Sequence, residues 1–232
     1  CGFNYAAADT KESQELNMIK LLRNMKHRGF TLIELLVVIA IIGLLAALLF
    51  PAIQGALLQA KATQVAAKMG GKGVAGLIYA VSIDRSANSM AETFPADADS
   101  TSTAFFNKYF DSTTTNYIKG LYYSQLAIPG QKTPPKNGTA LTAAMNLWNV
   151  ATELSTGSNP EIPLFMSANI QGTTLADLTF TEKQDGGTTP ILNDELAIVI
   201  YAQGAAKIFK KEFADEASIC AGSVYSNNLI KP

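Results

Sequence analysis

"MKHRGFTLIELLVVIAIIGLLAALLFPA", Met25 to Ala52, is the stretch on which the reading of this chain turns. From Phe30 to Phe50 it runs for 21 residues with Thr31 and Glu34 as its only polar side chains. A helix of that length, rising about 1.5 Å per residue, is roughly 32 Å long and matches a hydrocarbon core of about 30 Å. An ionised carboxylate inside a bilayer costs on the order of 2.5 kcal/mol or more, so Glu34 calls for a partner. Lys20, Arg23, Lys26 and Arg28 stand just upstream. By the positive-inside rule that end stays in the cytoplasm and the C-terminal body is translocated. A cleaved secretory signal would have an apolar core of about 7–15 residues and a small-residue cleavage site, a poorer fit than a longer anchor.

The rest of the chain narrows the chemistry. Residues 1–29 carry five Lys/Arg against three acids, and the remainder 13 against 16. A slightly acidic body with one arginine, Arg85, has no basic stripe for nucleic acid. The two cysteines, Cys1 and Cys220, fall on opposite sides of the apolar run, so the translocated body has no internal disulfide framework. Cys220, in "ASICAGS", reads as a small, partly buried apolar residue. The one histidine, His27, is also upstream of the run. A body without histidine has no Ser-His-Asp or Cys-His arrangement and no His-ligated zinc. No motif points to carboxylate, lysine or tyrosine catalysis, and the chain reads as a non-enzyme.

Beyond Phe50, Pro51 kinks or loosens a helix whose signals resume at once. Ile53, Leu57, Ala60, Gln64 and Ala67 recur at helical spacing, and "GGKG" at 70–73 weakens the propensity. The expectation is one long bent helix from about Phe30 to about Ala87, apolar all round at first and amphipathic later. "TFPADADSTSTAFFNKYF" predicts a turn at Pro95, an N-cap at Ser100 or Thr101, and a short helix bearing Phe105, Phe106 and Tyr109. "GLYYSQLAI" reads as a strand. "IPGQKTPPKNGT" reads as a loop, and Leu141, Met145, Trp148 and Leu154 have helical spacing. "PLFMSANI", "ELAIVIYA" and "AKIFKK" read as strands, the last two joined at Gln203-Gly204. An antiparallel sheet packed on the amphipathic half of the helix gives an α+β fold.

The residues around Gly29 form a pattern: basic side chains, then Gly, Phe, and a carboxylate four residues further on, within a long apolar helix. "RGFTLIELLVVIAIIGLLAALLFPAI" resembles the prepilin-type leader of type IV pilins and type II secretion pseudopilins. The resemblance implies a pilin-like fold with residues 1–29 as cytoplasmic leader and 30–50 as membrane-spanning and filament-core helix. Residues 51–90 would continue the helix and 91–232 form the globular head. It implies a cut between Gly29 and Phe30 by a prepilin peptidase and N-methylation of Phe30. Glu34 would serve filament assembly, and Pro51 would be the helix break. The new amine at Phe30 then gives Glu34 its partner, since two buried charges are tolerable when paired. The chain begins at Cys1, and initiation at Met18 or Met25 would give a shorter leader.

The implied partners are copies of the chain itself, the peptidase, an inner-membrane platform with a cytoplasmic ATPase, and the bilayer before assembly. The implied location is the inner membrane for the precursor and a periplasmic or surface filament afterwards. "TFPADADS" resembles a turn of major pseudopilins, yet their "DPWG"-like segment is missing, so surface pilus, pseudopilus and DNA-uptake fibre all stay open. Major pseudopilins often bind calcium, for which Asp185, Asn193, Asp194 and Glu195 would be the available oxygen ligands here; no other cofactor is indicated. The alternative is a low-copy minor pilin that acts as a binding or adhesion module at a filament tip.

Overall fold

The computed structural model describes residues 29–91, 93–95, 99–181, 184–185 and 189–232; of 184–185 and 189–191 it describes the backbone. The chain divides into two compact units, with the boundary between Ala52 and Ile53. Residues 1–28 of the leader, with its basic residues and His27, lie outside the described residues.

Two helices stand where one was expected. Helix α1 spans Leu32–Met69 and α2 spans Val74–Ala87. Pro51 lies inside α1 and does not end it. Proline removes the N–H that would reach the carbonyl of Ala47, but the helix propagates on either side. The glycines at 70–73 do end it. Gly73 donates to the carbonyl of Gly70 at 2.6 Å, and Gly71 donates at 2.6 Å to the carbonyl of Gly204. A Cβ on Gly73 would run into the carbonyl of Lys68, and one on Gly70 would lie 2.8 Å from the carbonyl of Gly204. The break is a docking point for another segment, which a continuous helix would close.

That segment is a hairpin turn. Strand β7 (Leu196–Tyr201) pairs with β8 (Ala206–Lys210) in the register Leu196↔Lys210 to Ile200↔Ala206. The turn falls at Gln203-Gly204 as expected, with Gly204 at φ 90° and its N–H donated to Tyr201. The sheet of five antiparallel strands has the order β8-β7-β2-β1-β9, where β1 is Trp148–Ala151, β2 is Pro163–Ser167 and β9 is Leu229–Ile230. Two-residue strands β3 (Ile170–Gln171) and β4 (Thr179–Phe180) pair with each other, as do β5 (Gln184–Asp185) and β6 (Thr189–Pro190). The architecture is α+β and pilin-like: the later turns of α1 pack on the antiparallel sheet.

The face that packs is a neighbour of the one expected. Leu58, Ala62, Val65, Ala66 and Met69 are buried, whereas Ile53, Leu57, Ala60, Gln64 and Ala67 are exposed. Alanines fill both stripes, but the expected one contains Gln64, and burying its amide without a partner would cost free energy. Helix α2 adds Val74, Ala75 and Ile78. Its Ser82 hydroxyl accepts the Thr93 N–H at 2.9 Å, and the Thr93 hydroxyl donates to Ile78, which ties down the chain beyond the helix.

The short helix α3 spans Ser102–Phe110, capped by the Thr101 hydroxyl as the Ser/Thr pattern predicted. Its Phe105 and Phe106 pack on Phe165 of β2. Two other expectations fail. "GLYYSQLAI" holds a 3-10 turn, Tyr123–Leu126, because the Gln125 amide oxygen accepts the Tyr122 N–H locally at 2.8 Å. "LTAAMNLWNVATEL" supplies β1 where a helix was expected. The Asn146 side chain accepts the Trp148 N–H two residues on and donates to the Ser102 hydroxyl. Asparagine bonded in this way favours a turn over a continuing helix.

Candidate processing and assembly site

Gly29 and Phe30 are exposed and non-helical, with Phe30 at 77% of its full accessibility. The helix begins two residues beyond that peptide bond, and the local chemistry explains why. The Thr31 hydroxyl accepts the Glu34 N–H at 3.2 Å. The Glu34 carboxylate reaches back and accepts both the Thr31 N–H, at 2.9 Å, and the Thr31 hydroxyl, at 2.7 Å. This reciprocal pairing of N-cap and third helical residue is a capping box, which satisfies N–H groups that have no partner in the helix. The negative end also sits against the positive pole of the helix. The pattern Thr-x-x-Glu before an apolar run is its sequence signature, and the sequence reading above missed it by treating Glu34 only as a charge awaiting a partner.

The side chains of Leu32 through Phe50 are all exposed, and Leu32 stands at 89%. Phe30, Ile33, Glu34, Val37 and Val38 share one open apolar groove of about 370 Å³. Among the described residues one helical stretch is long and apolar enough to cross a membrane, and its apolar window contributes nothing to the interior of the protein. Such a surface is stable only in lipid or against other apolar helices.

The remaining sequence-derived candidates belong to the second unit. Asn193 and Asp194 lie in a turn in which Leu192, Asn193 and Asp194 have φ of 50°, 55° and 54°. Glu195 follows, its N–H donated to Leu192. The backbone of Asp185 is in β5. Among the described residues no three His, Cys, Asp or Glu side chains gather as metal ligands would. Cys220 is buried against the Leu175 carbonyl, and burial pushes its thiol up to about 11.

The family described as the prokaryotic N-terminal methylation motif matches residues 24–50. No curated protein and no solved structure was found to match the chain. The matched segment contains Gly29, Phe30, the capping box and the exposed apolar turns, and it suits a membrane-anchored precursor. The chain carries the prepilin-type leader signature of type IV pilins and pseudopilins.

Proposed function

We propose that this chain is a structural, non-enzymatic subunit of a type IV pilus-like or pseudopilus filament. A prepilin peptidase cuts it between Gly29 and Phe30, Phe30 is N-methylated, and the subunit polymerises through its N-terminal helix. The observation that carries this is the exposure of every side chain from Leu32 to Phe50 within the matched segment. In the precursor, lipid covers that surface; in the filament, the same helices of other copies do. No cofactor enters this reading.

Glu34 connects the two states. Before the cut its carboxylate is held by Thr31. The cut places a positive amine on Phe30, one residue before that N–H. As helices bundle, leaving either charge unpaired costs several kcal/mol. Amine–carboxylate pairing between copies also fixes axial register, as a single polar residue does in a coiled coil. The test is Glu34→Ala. The variant is expected to insert and be cut normally while the yield of sheared filament collapses. A normal yield from that variant would remove Glu34 from assembly.

A further inference from the structure

The exposed loop 129–139 contains one feature that processing and assembly do not use. We propose that Asn137 is a self-modifying site, which converts through a succinimide to aspartyl and isoaspartyl forms as the protein ages. Asn137 is the one asparagine in the chain followed by glycine. Both residues are exposed in a turn, with Gly138 at φ 80° and open space where a Cβ would stand. The Gly138 N–H makes no hydrogen bond among the described residues. The Asn137 amide oxygen accepts the Ser124 N–H at 3.1 Å, while its NH₂ group is bound by no described residue. The electrophilic carbon is therefore polarised by a fixed donor, and the leaving nitrogen faces water. A donor on that oxygen stabilises the charge that develops there on attack.

The other asparagines lack one or more of these features. Asn146, Asn149 and Asn169 are buried. The side-chain NH₂ groups of Asn88, Asn107 and Asn227 are held by the carbonyls of Asp84, Leu141 and Thr152. Asn159 precedes a proline, which has no N–H to lose. Asn4, Asn17, Asn24, Asn116, Asn193 and Asn228 precede residues whose side chains crowd the attacking nitrogen.

The reaction balances with water alone. The Gly138 nitrogen bonds to Cγ of Asn137, the bond from Cγ to Nδ2 breaks, and ammonia leaves with the proton that Gly138 gives up. Water then opens the five-membered imide at either carbonyl. One opening leaves aspartate and the other leaves isoaspartate, which adds a methylene to the backbone. Each places a negative charge beside Lys136, so the loop of a long-lived protein differs from that of a new one. The proposal does not depend on the filament reading.

The full chain in detergent, held for days in mildly alkaline buffer and then peptide-mapped by mass spectrometry, tests it. The expected result is a single-dalton gain at Asn137, with both isomers present. It should run at least about tenfold ahead of any other asparagine, a barrier difference of about 1.4 kcal/mol. Gly138→Ala should slow it by about the same factor. No gain at Asn137, an earlier gain elsewhere, or an aspartyl product without its isomer would overturn the proposal; the unaltered chain alone decides it.

Discussion

Two stretches of one helix, Leu32–Phe50 and Ile53–Met69, are both rich in apolar residues, yet they meet their surroundings in opposite ways. In the second, Leu58, Ala62, Val65, Ala66 and Met69 vanish against the chain's own sheet, and the opposite face is left to solvent. In the first, nothing is buried on any face. A surface helix buries one stripe, whereas a helix apolar all round needs an apolar surrounding on every side. The second stretch therefore contributes to folding of the chain that carries it. The first leaves its apolar surface uncovered, which is the division of labour that the proposed filament subunit requires.

Core truncation tests that division most strongly. Met69→Ala should destabilise the second unit by about 2–5 kcal/mol, while Leu44→Ala should leave its unfolding midpoint unchanged. Denaturant titration followed by the fluorescence of buried Trp148, the only tryptophan, reads both. Equal effects would erase the contrast. Glycines should divide in the same way. Gly204→Ala puts a side chain at φ 90° against Gly71, with a cost of about 1–2 kcal/mol or more. Gly43→Ala meets open space within a helix and should be neutral or favourable there. Thermal melts of the paired variants separate these outcomes.

Two smaller effects sharpen the comparison. Thr31→Val removes the hydroxyl that caps α1 and should cost the first turn about 1 kcal/mol, read as faster amide exchange from Leu32 to Leu35, with no change in the second unit. Acid should act on the second unit instead. Asp177 accepts the N–H groups of Thr173 and Thr174, and these bonds hold its carboxyl down at about 2 from an ordinary value of 3.8. A depressed native value means stability that is present above pH 4 and lost as pH falls toward 2. The group is exposed, so solvent screening keeps the effect to a fraction of the full linkage. Asp177→Asn should flatten that part of the stability–pH curve; an unchanged acid limb would refute the assignment.

Much of this was legible in the sequence because its signals are local. The apolar run, the Thr101 cap and the Gln203-Gly204 turn each depend on a few adjacent residues, and each appears as read. The failures depend on partners far along the chain. Which of two alanine-rich stripes faces the sheet is decided by what packs there, although the amide of Gln64 in one and the uniformly apolar Leu58, Ala62, Val65 and Met69 in the other pointed to the answer. "GGKG" was read as weak helix because its docked partner, Gly204, lies more than a hundred residues away. Asn146 and Gln125 diverted their segments by bonding to nearby backbone, which apolar spacing does not register. The capping box was the opposite case: Thr31 and Glu34 announce it locally, but the search for a charge partner obscured it.

The mass and N-terminal sequence of the chain recovered from sheared filaments of cells that express it give the most direct test. The expected result is a mature chain that begins at Phe30 and carries one methyl group on its amine. A chain that keeps Gly29 and the residues before it, or that is absent from any filament fraction, would contradict it.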